Sequence, residues 1–84
     1  MDDIQLLSKL EEELNYKFLE EEYDIDVMYY SSKGRFCLNA ENRIIALNLF
    51  EFKLDYFPEI IYRFKYLKKL NFNNNFLKTQ PSKL

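Results

Sequence analysis

Residues 44–66 and 67–84 carry one apolar pattern twice, 23 positions apart. Ile44 aligns with Leu67, Leu47 with Leu70, Asn48 with Asn71 and Leu49 with Phe72. Further on, Phe52 aligns with Asn75, Leu54 with Leu77, Pro58 with Pro81 and Ile61 with Leu84. A period of roughly 20–29 residues that opens on strand-like alternation marks a coil that stacks on a copy of itself. One such coil cannot bury its apolar face alone. The two stretches are therefore expected side by side, running in the same direction, with like residues in register.

Within each coil the positions divide by task. In RIIALNLF (43–50), Ile45, Leu47 and Leu49 are expected on the inner face of a short strand, with Ala46, Asn48 and Phe50 on the other. Leu70 and Phe72 repeat the inner positions, and Leu54 and Leu77 fill the core after the chain turns. Pro58 is expected at the first position of a helical return segment, where its missing N–H costs nothing. Ile61, Phe64 and Leu67 then face inward, and Tyr62, Arg63, Lys65 and Tyr66 outward.

These positions resemble the leucine-rich repeat, L-x-x-L-x-L-x-x-N-x-L followed by x-x-L-P-x-x-L. The resemblance gives Asn75 the role of the repeat's asparagine, whose amide holds the bend through backbone hydrogen bonds. It leaves Asn73 and Asn74 at variable positions. The first coil departs from the pattern with Phe52, so packing is expected to replace hydrogen bonding there and the bend to be irregular. Gln80 departs as well, standing where Leu, or the first coil's Phe57, belongs.

Upstream, residues 2–23 read as one amphipathic helix, with Ile4, Leu7, Leu10, Leu14 and Phe18 in a stripe that Leu6, Tyr16 and Leu19 widen. Asp2 and Gln5 fit a capping box. DIDVMYY (24–30) reads as extended, SSKG (31–34) as a turn, and RFCL (35–38) as a strand that NAEN (39–42) returns into a hairpin over 35–50. Helix, hairpin and 23-residue repeats together resemble the capping region of bacterial leucine-rich repeat proteins. The expected fold class is α/β (α+β) in one domain over 1–84. It comprises a capping helix (1–23), an extended segment and hairpin (24–43), and two solenoid coils with parallel strands (44–66 and 67–84).

The residue inventory narrows the chemistry. The chain has no His and a single Cys, so Cys37 has no disulfide partner, and no metal, cofactor or Cys/His catalytic site is expected. Cys37 reads as a small core residue. Asp24 and Asp26 could supply a carboxylate pair, but nothing places them in a pocket, so no enzyme activity is expected. No apolar run reaches the roughly 18 residues of a membrane span, and Asp2 and Asp3 open the chain where a leader would be basic. The expectation is a cytoplasmic protein with no membrane association.

The net charge of −2 conceals an asymmetry, −7 over residues 1–42 and +5 over 43–84. The leucine-rich repeat resemblance implies a protein-binding module that uses the exposed strand positions Ala46, Asn48, Phe50, Lys69, Asn71 and Asn73. A sharper expectation comes from the acidic first half. A small chain rich in Asn, Lys, Ile, Phe and Tyr, with only two Ala, looks like a bacteriophage or prophage product and resembles anti-CRISPR inhibitors. Glu13, Glu20, Glu21, Glu22 and Asp24 would then occupy the positively charged channel of a defence nuclease, with steep salt dependence. A solvated helix face is the plainer account of these carboxylates. The alternatives are a generic adaptor, the N-terminal part of a longer repeat protein, or RNA binding through residues 62–69. In that last reading Arg63, Lys65, Lys68 and Lys69 interleave with Tyr62, Phe64 and Tyr66; the acidic net charge speaks against it. Finally, the last strand, 68–72, is expected to present an open edge. Further chain, a homodimer or a partner would cover it.

Overall fold

The computed structural model describes residues 1–77 and shows a mixed α+β architecture: one α-helix and an open four-stranded sheet. Helix α1 spans Asp3–Leu14, and the strands are β1 (Leu19–Glu20), β2 (Arg35–Leu38), β3 (Ile44–Asn48) and β4 (Lys69–Asn71). They lie in chain order, with β1 and β2 parallel, β2 and β3 antiparallel, and β3 and β4 parallel. Pro81 and Leu84, together with Gln80, fall outside the described residues, so their expected places in the second coil do too.

Helix α1 begins as its sequence directs. Asp2 accepts the Gln5 N–H at 2.8 Å, and the Gln5 side chain accepts the Asp2 N–H at 2.9 Å. Leu6, Leu7 and Leu10 are buried, each contributing roughly 1.5–3 kcal/mol of transfer free energy. Asp3 is buried as well, and accepts the Ile44 N–H at 2.8 Å, tying the first turn of the helix to the start of β3. The stripe is therefore rotated from its expected centre, and Ile4 is exposed.

The helix does not continue to residue 23. Asn15 takes the left-handed conformation (φ 52°), donates to the Glu11 and Glu12 carbonyls and closes it. The Glu11 carboxylate then accepts the Phe18 N–H at 2.7 Å and turns the chain into β1. Phe18 is buried all the same, delivered by an extended segment rather than by a fifth helical turn. Residues 24–30 differ too. They form 3₁₀ turns at Asp24–Val27 and Tyr30–Ser32 instead of an extended run.

Gly34 (φ 74°) supplies the left-handed residue that lets this segment re-enter the sheet, and the Tyr16 ring lies so close that a Cβ there would collide with it. The hairpin forms as expected. The Asn39 side chain accepts both the Glu41 and Arg43 N–H groups at 3.0 Å, and Asn42 (φ 61°) completes the turn. One residue breaks the alternation. Leu38 pairs with Ile44 while Cys37 pairs with Ala46, so Ile45 is the extra residue of a bulge. Ile44 thereby turns into the main core with Leu47 and Leu49, and Ile45, expected there, packs against Val27, Cys37 and Ala46.

Strands β3 and β4 pair Ala46 with Lys69, Leu47 with Leu70 and Asn48 with Asn71, an offset of 23 residues. The stacking continues beyond the strands. The Leu49 N–H donates to the Asn71 carbonyl (2.7 Å), Glu51 N–H to Asn73 (3.0 Å) and Phe76 N–H to Leu54 (2.7 Å). Glu51 and Asn74, also 23 apart, share the same left-handed backbone (φ 56° and 59°). Pro58 stands one position earlier than expected, as N-cap of a 3₁₀ turn, Glu59–Arg63, that packs against α1. Ile61 and Phe64 are buried as expected, with Leu67 packed at the core's margin.

Candidate protein-binding face

The outer side of β3 is not open. Asn48, expected at an exposed binding position, is 0% exposed, and Ala46 beside it is buried. The segment 24–32 covers both. The Asn48 amide donates to the carbonyls of Val27 (2.6 Å) and Tyr29 (2.8 Å), and its oxygen accepts the Phe50 N–H (2.8 Å). Asn71, also expected exposed, is buried and repeats the arrangement 23 residues later. It donates to the Met28 carbonyl (3.3 Å) and accepts the Asn73 N–H (3.0 Å). Both residues are structural clips that hold the covering segment.

What remains exposed on this side is carried by that segment. Tyr30 is 71% exposed, yet its ring stacks on Phe50 at 4.8 Å, so it is held in place while facing solvent. Tyr23, Ile25 and Tyr29 are exposed along the same segment. Lys69 stands at the border, ion-paired with Asp24 at 3.3 Å, and Asn73 is exposed beyond it. Of the expected strand-face residues, Phe50, Lys69 and Asn73 thus reach the surface. The tyrosines were missed because DIDVMYY was read for strand pattern. Its surplus of aromatics without a matching polar face was the available signal.

Three of the five acidic candidates are engaged within the molecule. Glu13 accepts the Tyr56 hydroxyl at 2.7 Å, Glu21 pairs with Arg35 at 2.9 Å, and Asp24 with Lys69. Glu20 and Glu22 are exposed. Their field reaches inward: burial pushes the Cys37 thiol up, and the Asp24, Glu20 and Glu21 carboxylates add to the shift. Cys37 is buried and unpaired by disulfide, the core residue its type suggested.

The aromatics of the segment 62–69 have partners within the molecule as well. Phe64 is in the core, Tyr62 packs on Phe57 at 5.2 Å, and Arg43 lies over Tyr66 at 4.9 Å. Buried as it is, Phe64 offers no ring face to a nucleic-acid base.

Burial pushes the Tyr56 hydroxyl up to about 12 from its ordinary 10.0, with the hydrogen bond to Glu13, then the charges of Glu13 and Asp55, adding to the effect. The fold thus favours the protonated phenol. Its contribution is fully present below about pH 10 and is lost as pH rises through about 12. Tyr56→Phe should therefore be less stable than the parent at neutral pH, and the gap should close over that alkaline window. Urea midpoints measured across it check this; a gap that stays constant would contradict the coupling.

Among the described residues no helix is long and apolar enough to cross a membrane, and no group of three or more His, Cys, Asp or Glu could hold a metal ion. No family model matches the chain, and no curated protein or solved structure is significantly similar to it.

Proposed function

We propose that the chain is a protein-interaction module without catalytic activity, built as a leucine-rich repeat solenoid of two coils behind an N-terminal cap. The like-with-like pairing of β3 and β4 at an offset of 23 supports the solenoid. The observation that carries the binding role is the Tyr30–Phe50 stack. A large aromatic ring that is both exposed and fixed loses little side-chain entropy when a partner covers it. Tyr29 and Tyr30 are the anchors of this face, and the Asp24–Lys69 pair forms its polar rim.

The test is comparative capture. The parent protein and a Tyr30→Ala/Phe50→Ala variant are immobilised and exposed to the same lysate, and retained proteins are quantified. A specific partner should fall about 30-fold or more with the variant, as expected for loss of a central aromatic anchor. Equal retention by both would overturn the assignment. Salt separates this reading from the nuclease-inhibitor reading, which the exposed Glu20 and Glu22 favour. Binding through the aromatic face changes little with ionic strength, whereas displacement of nucleic acid by charge weakens steeply.

A further inference from the structure

The two outer strands of the sheet carry opposite charge, and each leaves an edge without a neighbouring strand among the described residues. At the β1 edge, the Leu19 and Glu21 N–H groups donate to the Gly34 and Phe36 carbonyls of the neighbouring strand (3.0 and 2.8 Å). Glu20 lies between them, so its backbone groups turn outward. The Leu19 side chain is 53% exposed, and the exposed carboxylates of Glu20 and Glu22 follow it in the chain. At the other edge no strand lies beyond β4 among the described residues. Leu67, Leu70 and Phe72 are half-buried there, whereas Ile44, Leu47 and Leu49, their equivalents one coil earlier, are fully buried. With Phe57 they line a hollow of about 680 Å³ whose lining includes Lys68 and Lys69 and no carboxylate.

We propose that the β4 edge of one molecule receives the β1 edge of a second copy, head to tail. Strand β1 is parallel to β2, β2 antiparallel to β3, and β3 parallel to β4, so β1 runs opposite to β4. A second copy set beside the first without rotation therefore presents its β1 antiparallel to β4, the more stable pairing. Glu20 is in register with Phe36 and so on the face of Leu47 and Leu70; it meets Lys68 at the rim of the hollow, while Leu19 lies on the opposite face beside Lys69. The contact joins two different surfaces, so it repeats rather than closing into a symmetric pair. Its strands are only two and three residues long, which makes the association weak and dependent on low salt. This surface adjoins the Tyr30 face at Lys69, but the residues exchanged below, Glu20 and Lys68, are not among those assigned to that face.

Charge exchange tests the proposal with the protein alone. Lys68→Glu leaves two acidic edges, and Glu20→Lys leaves two basic ones. Both positions are exposed, and circular dichroism confirms that each variant folds. Sedimentation at the millimolar concentrations used for NMR should show the parent's average mass rising with concentration at low salt. Each variant alone should associate about tenfold more weakly. An equimolar mixture of the two should recover association, because each acidic edge then finds a basic one. A parent that stays monomeric at low salt would overturn the proposal. So would a parent that stops at a dimer, or a mixture no better than its components.

Discussion

Replacing Asn48 with alanine should destabilise the protein by about 3 kcal/mol, the cost of stranding several buried or part-buried backbone groups at once. The Val27 and Tyr29 carbonyls lose their donor and the Phe50 N–H loses its acceptor; the first of these bonds is buried and the other two are part-buried around a fully buried side chain. Against a total of roughly 5–15 kcal/mol for a natural domain, that is a large share. It corresponds to a fall in melting temperature on the order of 15 °C for a chain of this size. Asn71→Ala should cost less, since its bond to Met28 is longer, at 3.3 Å. Asn73→Ala should be near neutral, because Asn73 is exposed and the bonds of its backbone N–H and carbonyl survive the substitution. Urea denaturation of the three variants checks the order. An Asn48→Ala variant within about 1 kcal/mol of the parent would mean that packing alone holds the covering segment.

That order of effects also shows what local pattern could and could not reveal. Leu47, Leu49, Ile61 and Phe64 were legible because their burial follows from strand and turn periodicity within a few residues. The mate of each β4 residue was legible because the 23-residue spacing states it. Asn48 was not, because alternation says only that it faces away from Leu47 and Leu49. Whether that side meets solvent depends on a segment some twenty residues upstream, and its 3₁₀ turns have no distinct periodicity. The helix end was hidden for a related reason. Phe18 keeps the i+4 spacing of the stripe, so it satisfies the core whether Asn15 closes the helix or not. The bulge at Ile45 was masked because both Ile44 and Ile45 are apolar, and either could have been the inner residue. The proposed binding face was the least legible part. It is assembled from Tyr29 and Tyr30 of one segment and Phe50 of another, and only the fold brings them together.

The bend positions give a second large effect, with opposite chemistry at equivalent sites. Asn75→Ala should cost about 2 kcal/mol. The Asn75 amide donates to the carbonyls of Leu49 (2.8 Å) and Phe72 (3.0 Å), and its oxygen accepts the Leu54 N–H (3.0 Å). One side chain thus ties the turn after β4 to the chain that follows β3. Phe52 stands 23 residues earlier and does none of this. It stacks on Phe18 (5.8 Å, 13° between planes) and meets Tyr16 edge-on (4.8 Å), with the Lys33 ammonium 5.1 Å from its ring centroid. The backbone there is irregular, with Glu51 and Lys53 on either side both left-handed. Restoring the pattern with Phe52→Asn should therefore destabilise by about 2 kcal/mol rather than help, since an aromatic cluster is lost. On that side of residue 52 stand the rings of Tyr16 and Phe18, where an asparagine would find no chain like the one that Asn75 clips. Equilibrium unfolding of both single variants and the reciprocal swap, Phe52→Asn with Asn75→Phe, decides the matter. A swap as stable as the parent would mean that the two bends are interchangeable, and that the cap exerts no demand of its own on the coil it covers.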